Sequence, residues 1–166
     1  MNCPRIVLLA LAVTVALGTG AAFAGTASDG FDVLLQVNAS CGIQATDHDF
    51  GVYDRTLGNV GASTLTVNCT VLTPYSVGID GCTHGSGVAD RKMKLTTGST
   101  LASYSLRCAD ALQGCFTNWG NSPSVDTLDL IGTEIDVPLP VVGQAASARN
   151  LPAGSYKDVC LAVITF

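Results

Sequence analysis

The cysteines are the residues of this sequence whose type and spacing predict the most chemistry. The chain has seven of them, and Cys3 lies in a segment that is typical of a signal peptide. An even number of cysteines in an exported protein predicts disulfide bonds rather than free thiols. The remaining cysteines are Cys41, Cys69, Cys82, Cys108, Cys115 and Cys160.

These cysteines allow many different pairings, so their spacing alone leaves the connectivity open. We expect Cys41 to pair with Cys69, because both are predicted to lie on early strands. Cys108 and Cys115 could close a local loop. Cys160 lies in the last predicted strand, where it either braces the fold by a cross-link or indicates that the faces of that strand are assigned wrongly.

Metal binding and catalysis find little support in the other reactive residues. No CxxC pair occurs, and the two histidines, His48 and His84, stand apart. The sequence "DHD" at 47–49 is more typical of a solvated turn than of a metal site. No nucleophile-elbow or metal-helix motif is present. We therefore expect no catalytic residue, no metal site and no cofactor.

The first 24 residues are predicted to be a signal peptide. Arg5 provides a basic start, "IVLLALAVTVAL" provides an apolar segment, and residues 22–24 provide a small-x-small cleavage site. A transmembrane helix is the alternative, but the apolar run is short for a bilayer and no basic flank follows it. We expect cleavage after Ala24, followed by a donor extension at 25–40 and a single domain at 41–166.

The charge of the chain excludes some classes of partner. Eight lysines and arginines stand against 13 aspartates and glutamates, which gives a formal net charge of −5 at pH 7, and no basic run occurs. Nucleic acids and anionic membranes attract basic surfaces. We therefore expect no nucleic-acid partner.

Strand and turn signals predominate after the predicted signal peptide. The stretch at 63–72 is rich in valine and threonine and alternates, and the stretch at 75–80 repeats this pattern; both predict strands, as do the short stretches at 91–97 and 101–108. Clusters of glycine, proline, asparagine and serine separate them. No stretch has a long helical period. The sequence therefore predicts an all-β sandwich of immunoglobulin-like size.

The closing stretch "GSYKDVCLAVITF" predicts that this sandwich lacks an edge. Apolar residues occupy both of its faces, which is typical of a central strand covered on both sides. The sequence stops at Phe166, with no residues left to form the neighbour of that strand. An open edge beside a core strand leaves amide groups and apolar side chains in water. The residues expected to border this acceptor groove are Tyr156, Val159, Leu161, Val163 and Phe166.

The stretch "FDVLLQVNAS" at 31–40 is the strand expected to fill the open edge. Phe31, Val33, Leu35 and Val37 alternate with mostly polar residues, which is the pattern of a strand with one buried face. Burial of four such side chains contributes about 6 to 12 kcal/mol, comparable to the stability of a domain. Insertion into another copy gives a head-to-tail contact that builds a fibre. An ordinary first strand of a complete domain is the alternative.

Several motifs are spread along the sequence, namely "FDVLLQVNASC" (31–41), "DFGVYD" (49–54), "LTVNCT" (65–70), "YSVGID" (75–80), "RKMKL" (91–95), "LASYSLRCAD" (101–110) and "WGN" (119–121). Together with the closing stretch, these motifs resemble the spore coat protein U family, which includes the pilin subunits of archaic chaperone-usher pili of the Csu type. The closing stretch resembles the family's Gly-x-Tyr-x-Asp strand, carried here by Gly154, Tyr156 and Asp158. The resemblance covers nearly all of the chain after the predicted signal peptide.

The resemblance implies an incomplete immunoglobulin-like fold that is completed by donor-strand complementation. A periplasmic chaperone lends a strand during transit, and an outer-membrane usher of a Gram-negative bacterium exchanges it for the next subunit's extension. The product is a homopolymeric surface pilus, or fimbrium, used in adhesion and biofilm formation. Phe31, Val33, Leu35 and Val37 would be the donor residues, and residues 156–166 would form one wall of the groove. The additional cysteines depart from the family pattern.

Two other functions are compatible with the sequence. The chain could be a self-contained, secreted, disulfide-stabilised binding module that recognises a carbohydrate or inhibits an enzyme. Trp119 could then stack on a sugar, although a single tryptophan more often anchors a core or a loop. The chain could also be a structural protein of a spore coat. As a pilin, a lone domain favours a shaft subunit over a tip adhesin.

Overall fold

The described part of a computed structural model comprises residues 25–109, 118–147 and 150–166, and these residues form strands, turns and loops without a helix. No helix long and apolar enough to cross a membrane is therefore found among them. The predicted all-β class is confirmed. The strands are β1 (Cys41–Ala45), β2 (Asn59–Cys69), β3 (Pro74–Ile79), β4 (Arg91–Leu95), β5 (Leu101–Cys108), β6 (Leu128–Ile131), β7 (Val137–Ala145), β8 (Tyr156–Lys157) and β9 (Ala162–Thr165).

The strands form two antiparallel sheets around one core. The larger sheet has the order β1-β2-β7-β5-β4-β8, and the smaller one has the order β6-β3-β9. Alternate residues of the strands point inward, and β2 and β3 contribute Val67 and Val77, which are fully buried. Trp119 is 0% exposed and donates from Nε1 to the Val77 carbonyl at 2.9 Å. The tryptophan therefore anchors the core and offers no face to a sugar.

Two strands of the sandwich, β6 and β7, are absent from the sequence prediction. Pro138 and Pro140 lie in β7, which is unusual because proline cannot donate to a ladder. Both prolines are paired with β2, whereas β5 pairs with β7 only from Val141 onward. The Pro140 carbonyl accepts from Ala109 on the β5 side. In an antiparallel strand the N–H and C=O groups of one residue point to the same side. The N–H groups that the two prolines lack would therefore point toward β5, where the β5–β7 pairing has already ended.

The closing stretch is not one continuous strand covered on both faces, and that expectation was wrong. Residues 156–157 pair with β4 in the larger sheet, whereas β9 pairs with β3 in the smaller one. The chain changes sheets over residues 158–161, which form no strand. Side chains on one face of this stretch pack against the core, and those on the other face are exposed. The exposed apolar residues of this stretch between Tyr156 and Thr165 are Val159, Leu161 and Val163.

The chain divides into a unit that ends at Gln36 and a second unit, Val37–Phe166. Residues 25–40 contain no strand. The side chains of Phe31 and Leu35 are 85% and 89% exposed, and those of Val33 and Val37 are exposed as well. An ordinary first strand at 31–37 is therefore not observed. The predicted signal peptide lies outside the described residues.

Candidate functional site

The candidate site is a cavity of about 640 Å³ lined by residues of both sheets, which we call the groove. Residues 45–50 border it on one side, and residues 156–160 with Ala162 border it on the other. Its floor consists of core side chains from both sheets, among them Leu65, Ile79 and Leu106. A second cavity of about 680 Å³ shares His48, Phe50 and Tyr156 with the first, so the two adjoin.

Strand β9 provides one wall of the groove and stands at the end of its sheet. Among the described strands, only β3 pairs with it. Its inward residues Ala162 and Ile164 are partly buried against the core. The other edge of β9 therefore presents backbone groups without a strand partner, which is the template to which an additional strand can bind.

The segment that leads into β9 is fixed by the carboxylate of Asp158, whose side chain is 3% exposed. This carboxylate accepts from the Tyr104 hydroxyl at 2.8 Å and from His84 Nδ1 at 2.9 Å. It also accepts from the backbone N–H groups of Thr83 and Val159. Burial, together with the hydrogen bond to Asp158, raises the pKa of Tyr104 well above its ordinary value. Asp158 thus holds the chain where it leaves the larger sheet.

A disulfide bond fixes the same segment two residues further on. Cys160 is bonded to Cys82, and the two residues are 78 positions apart in the sequence. Asp80 Oδ1 then accepts from the N–H groups of Leu161 and Cys82, both at 2.9 Å. Residues 79–84, which we call the anchor loop, therefore hold this wall through a covalent bond and several hydrogen bonds. The expectation that Cys160 could brace the sandwich agrees with this arrangement.

The buried side chain of Arg91 connects the anchor loop to the opposite sheet. Arg91 is 0% exposed, and its guanidinium donates to the carbonyls of Ile79, Asp80 and Trp119 at 2.6 to 3.0 Å. Burial lowers the pKa of Arg91, while Tyr104 and nearby aspartates oppose this effect. Because β4 carries Arg91, the arginine holds the end of β3 against the larger sheet.

The opposite wall of the groove begins at β1, which is cross-linked to β2 by the Cys41–Cys69 disulfide. This is the pairing that the sequence analysis placed first. Cys108 is also disulfide-bonded. Its suggested partner, Cys115, lies outside the described residues. Each wall of the groove is therefore attached to the body of the sandwich by one covalent bond.

Beyond β1 the wall continues with His48 and Phe50, which turn inward. The rings of His48 and Phe50 meet edge to face, with centroids 4.8 Å apart. His48 Nδ1 lies 2.9 Å from Ser63 Oγ, and burial lowers the pKa of His48. The prediction of a solvated turn at 47–49 is therefore wrong for His48. Asp49 is exposed and accepts from Gly51 N–H, but its backbone forms a β-bridge with Ala62 rather than a turn.

Two further side chains named in the sequence analysis have structural roles. The Tyr156 hydroxyl donates to the Pro152 carbonyl at 3.0 Å, which is the corner hydrogen bond expected of a tyrosine at the start of a strand. Asp80, Cys82 and Cys160 bring three potential metal ligands together. The two sulfur atoms are bonded to each other and are not thiolates, so this group does not fit a metal ion.

Comparisons with known proteins give consistent matches. A family model described as the Spore Coat Protein U domain matches residues 27–163. Protein U of Myxococcus xanthus is 27% identical over 183 residues, with full coverage of both chains. A chain of the CsuC-CsuE chaperone-tip adhesion subunit pre-assembly complex, from archaic chaperone-usher Csu pili of Acinetobacter baumannii, matches with a TM-score of 0.56 and 21% identity. That match covers 78% of this chain and only 40% of the solved chain, and it shows the fold alone.

Proposed function

Because the chain belongs to the Spore Coat Protein U domain family, we propose that it is a structural pilus subunit which polymerises by donor-strand exchange. Residues 1–24 direct export to the periplasm of a Gram-negative bacterium and are removed. A periplasmic chaperone occupies the groove until an outer-membrane usher replaces its strand with residues 31–37 of the next subunit. The product is a homopolymeric fibre on the cell surface that serves adhesion and biofilm formation.

The observation that carries this proposal is the open edge of β9 beside a groove with an apolar floor. The groove is bordered by two strands that stand at the ends of different sheets, so one added strand can pair with an edge and cover the core at once. Residues 31–37 have the matching alternation and are exposed. Phe31, Val33, Leu35 and Val37 are the proposed donor residues, since side chains at every second position face the same way.

The acceptor wall in this proposal differs in part from the residues expected at first. Tyr156 and Val159 line the groove together with Cys160 and Ala162. Leu161 and Val163 alternate with these inward residues and face outward. The inward contacts of a donor strand therefore involve Cys160, Ala162 and Ile164 rather than Leu161 and Val163.

Deletion of residues 25–38 tests the proposal. The shortened subunit is expected to be exported and to bind its chaperone but to join no fibre, because it keeps the groove and lacks the donor. Fibre formation is measured as a ladder of polymers on a denaturing gel of unboiled cell-surface extract. A shortened subunit that still forms the ladder contradicts the proposal.

A matched pair of point variants separates donor pairing from a general effect of the extension. Leu35→Asp places a charge on the proposed buried face, and its ladder is expected to disappear because an unpaired charge is costly to bury. Asp32→Ser changes the opposite face and is expected to keep the ladder. If the unchanged chain is a stable monomer under all conditions, a self-contained binding module becomes the better hypothesis.

A further inference from the structure

The donor segment has an apolar residue on the face that donor-strand insertion leaves outside. Residues 32, 34, 36 and 38 alternate with the proposed buried residues, and three of these four are polar. The exception is Leu34, whose side chain is 88% exposed. The inward contacts with the groove do not explain a leucine at this position.

A pair of apolar side chains on the outer face of the β9 segment is equally unexplained. Leu161 and Val163 lie two positions apart, and Leu161 is 62% exposed. Their neighbours Cys160, Ala162 and Ile164 point to the core, so this pair faces away from it. We call these two side chains the outer stripe. Edge strands more often present charged side chains, which discourage pairing.

From these two observations we infer that Leu34 of one subunit packs on the outer stripe of the next. This inference rests on the proposed function, because it requires residues 31–37 to lie beside the free edge of β9. Side chains at opposed positions of neighbouring strands lie on the same face of a sheet. If the donor side chains face the core with Ala162 and Ile164, Leu34 lies on the face of Leu161 and Val163.

The geometry favours this contact for either direction of the inserted strand. Leu34 is the central residue of the segment 31–37, and the outer stripe spans two alternate positions. Opposed side chains in a sheet have Cβ atoms about 5 Å apart, and diagonal ones are about 7 Å apart, so a leucine reaches the stripe from several registers. The polar residues Asp32 and Gln36 then flank the contact and remain in water. The donor is therefore recognised on both of its faces.

A double-mutant cycle on assembled fibres tests this inference. Leu34→Ser and the paired change Leu161→Ser with Val163→Ser are made separately and together in the full chain. The measured quantity is the rate at which the polymer ladder dissociates on heating in detergent. We expect each change to raise this rate about threefold, as is typical for the loss of one cross-strand apolar pair.

The combined variant distinguishes contact from independent effects. If Leu34 touches the stripe, the combined variant dissociates no faster than the more affected of the two separate variants, because the second change removes nothing further. Leu34→Ser combined with Leu101→Ser is the matched control, since Leu101 is an exposed leucine on β5 in the other sheet. The effects of that pair are expected to multiply.

Two results would overturn the inference, and they differ from failure of the proposed function. Multiplying effects for Leu34 and the stripe, or an unchanged rate for Leu34→Ser, contradict the contact while the fibre itself persists. Absence of any ladder from the unchanged chain contradicts donor-strand exchange and the inference together. Should the serine pair reduce the amount of exported subunit, Val163→Thr keeps the branched shape and replaces it in the cycle.

Discussion

At the scale of single residues, the position of the His48 side chain depends on two glycines in the strands behind it. Gly61 and Gly143 lie opposite each other in the β2–β7 register, and the His48 imidazole occupies the space above both. A Cβ atom on either glycine would collide with His48 Nε2, and on Gly143 also with the Phe50 ring. The glycine pair therefore makes room for the aromatic wall of the groove.

Gly143→Ala is expected to destabilise the protein by about 1 to 3 kcal/mol, because an inserted methyl group in a packed interior displaces its neighbours. The free energy of unfolding in urea is the measurement. Gly42→Ala is the matched control, since a Cβ at Gly42 in β1 meets nothing within 4 Å. An equal effect of both substitutions would show that the loss comes from glycine replacement in a strand and not from His48.

The sequence contains a signal for the burial of Arg91. In "RKMKL" the alternation places Arg91 on the same face as Met93 and Leu95, while Lys92 and Lys94 share the other. An arginine in phase with apolar residues points into a core. What the pattern could not provide is the set of carbonyls that accept from Arg91, since these come from β3, the anchor loop and Trp119, far away in the sequence.

At the scale of elements, the segment between β8 and β9 keeps its position without belonging to a sheet. Asp158, Cys160 and Leu161 are each bound to the anchor loop. Edge strands with one partner are prone to local opening, since few hydrogen bonds need to break. The Cys82–Cys160 disulfide is therefore expected to stabilise this segment most, because strand pairing stabilises it least.

Replacement of Cys82 and Cys160 by serine together tests this role. We expect a loss of about 2 to 4 kcal/mol in the free energy of unfolding, because the bond closes a long loop. Amide hydrogen exchange is expected to increase more in residues 158–166 than in β7. Serines at Cys41 and Cys69 are the control, and their main increase is expected in β1. Equal exchange in β9 and β7 of the Cys82/Cys160 variant would contradict the bracing role.

Strands with a clear alternating pattern between turn signals could be predicted from the sequence, and strands of unusual composition could not. Predicted stretches at 63–72, 75–80, 91–97 and 101–108 correspond to β2 to β5. β7 was not predicted, because prolines such as Pro138 and Pro140 are typically absent from a central strand. They are tolerated here because the pairing between β5 and β7 begins only at Val141, and the sequence does not show this. The change of sheets at 158–161 could not be predicted either, because the sequence keeps its apolar residues through these positions without a turn signal.

At the scale of the whole molecule, the stability of the fold is expected to depend on pH through His48. Burial lowers the pKa of His48 from the ordinary value of 6.5, and the carboxylate of Asp49 opposes this in part. The unfolded chain therefore binds a proton more readily than the folded one. The contribution of neutral His48 is complete above pH 6.5 and is lost as the pH falls through the lower, folded pKa.

The expected result is a free energy of unfolding that decreases as the pH falls below 6.5. The measurement is urea unfolding at a series of pH values and constant salt. His48→Asn keeps a polar group near Ser63 and lacks the titrating ring, so its curve is expected to be flatter over this range. A variant with the same slope as the unchanged protein would assign the pH dependence to other groups.

The general plan of the molecule could be predicted from the sequence, whereas the shape of its groove could not. An all-β sandwich follows from local alternation and turns, which the sequence contains directly. The groove depends on which strands become the edge strands of the two sheets. Pairing between residues far apart in the sequence determines which strands these are. β1 and β9 stand at those ends although their residues lie far apart in the chain.

The positions of the Cys41–Cys69 and Cys82–Cys160 disulfides determine how a fibre of the proposed kind responds to tension. Force enters each subunit at Cys41, because residues 31–40 lead directly into it, and the bond to Cys69 passes the load to β2 inside the larger sheet. At the other wall, the bond between Cys160 and Cys82 passes the load from the segment before β9 to the loop after β3. Stretching therefore transmits force to interior strands through covalent bonds before the edge strands β1 and β9 can separate from their sheets.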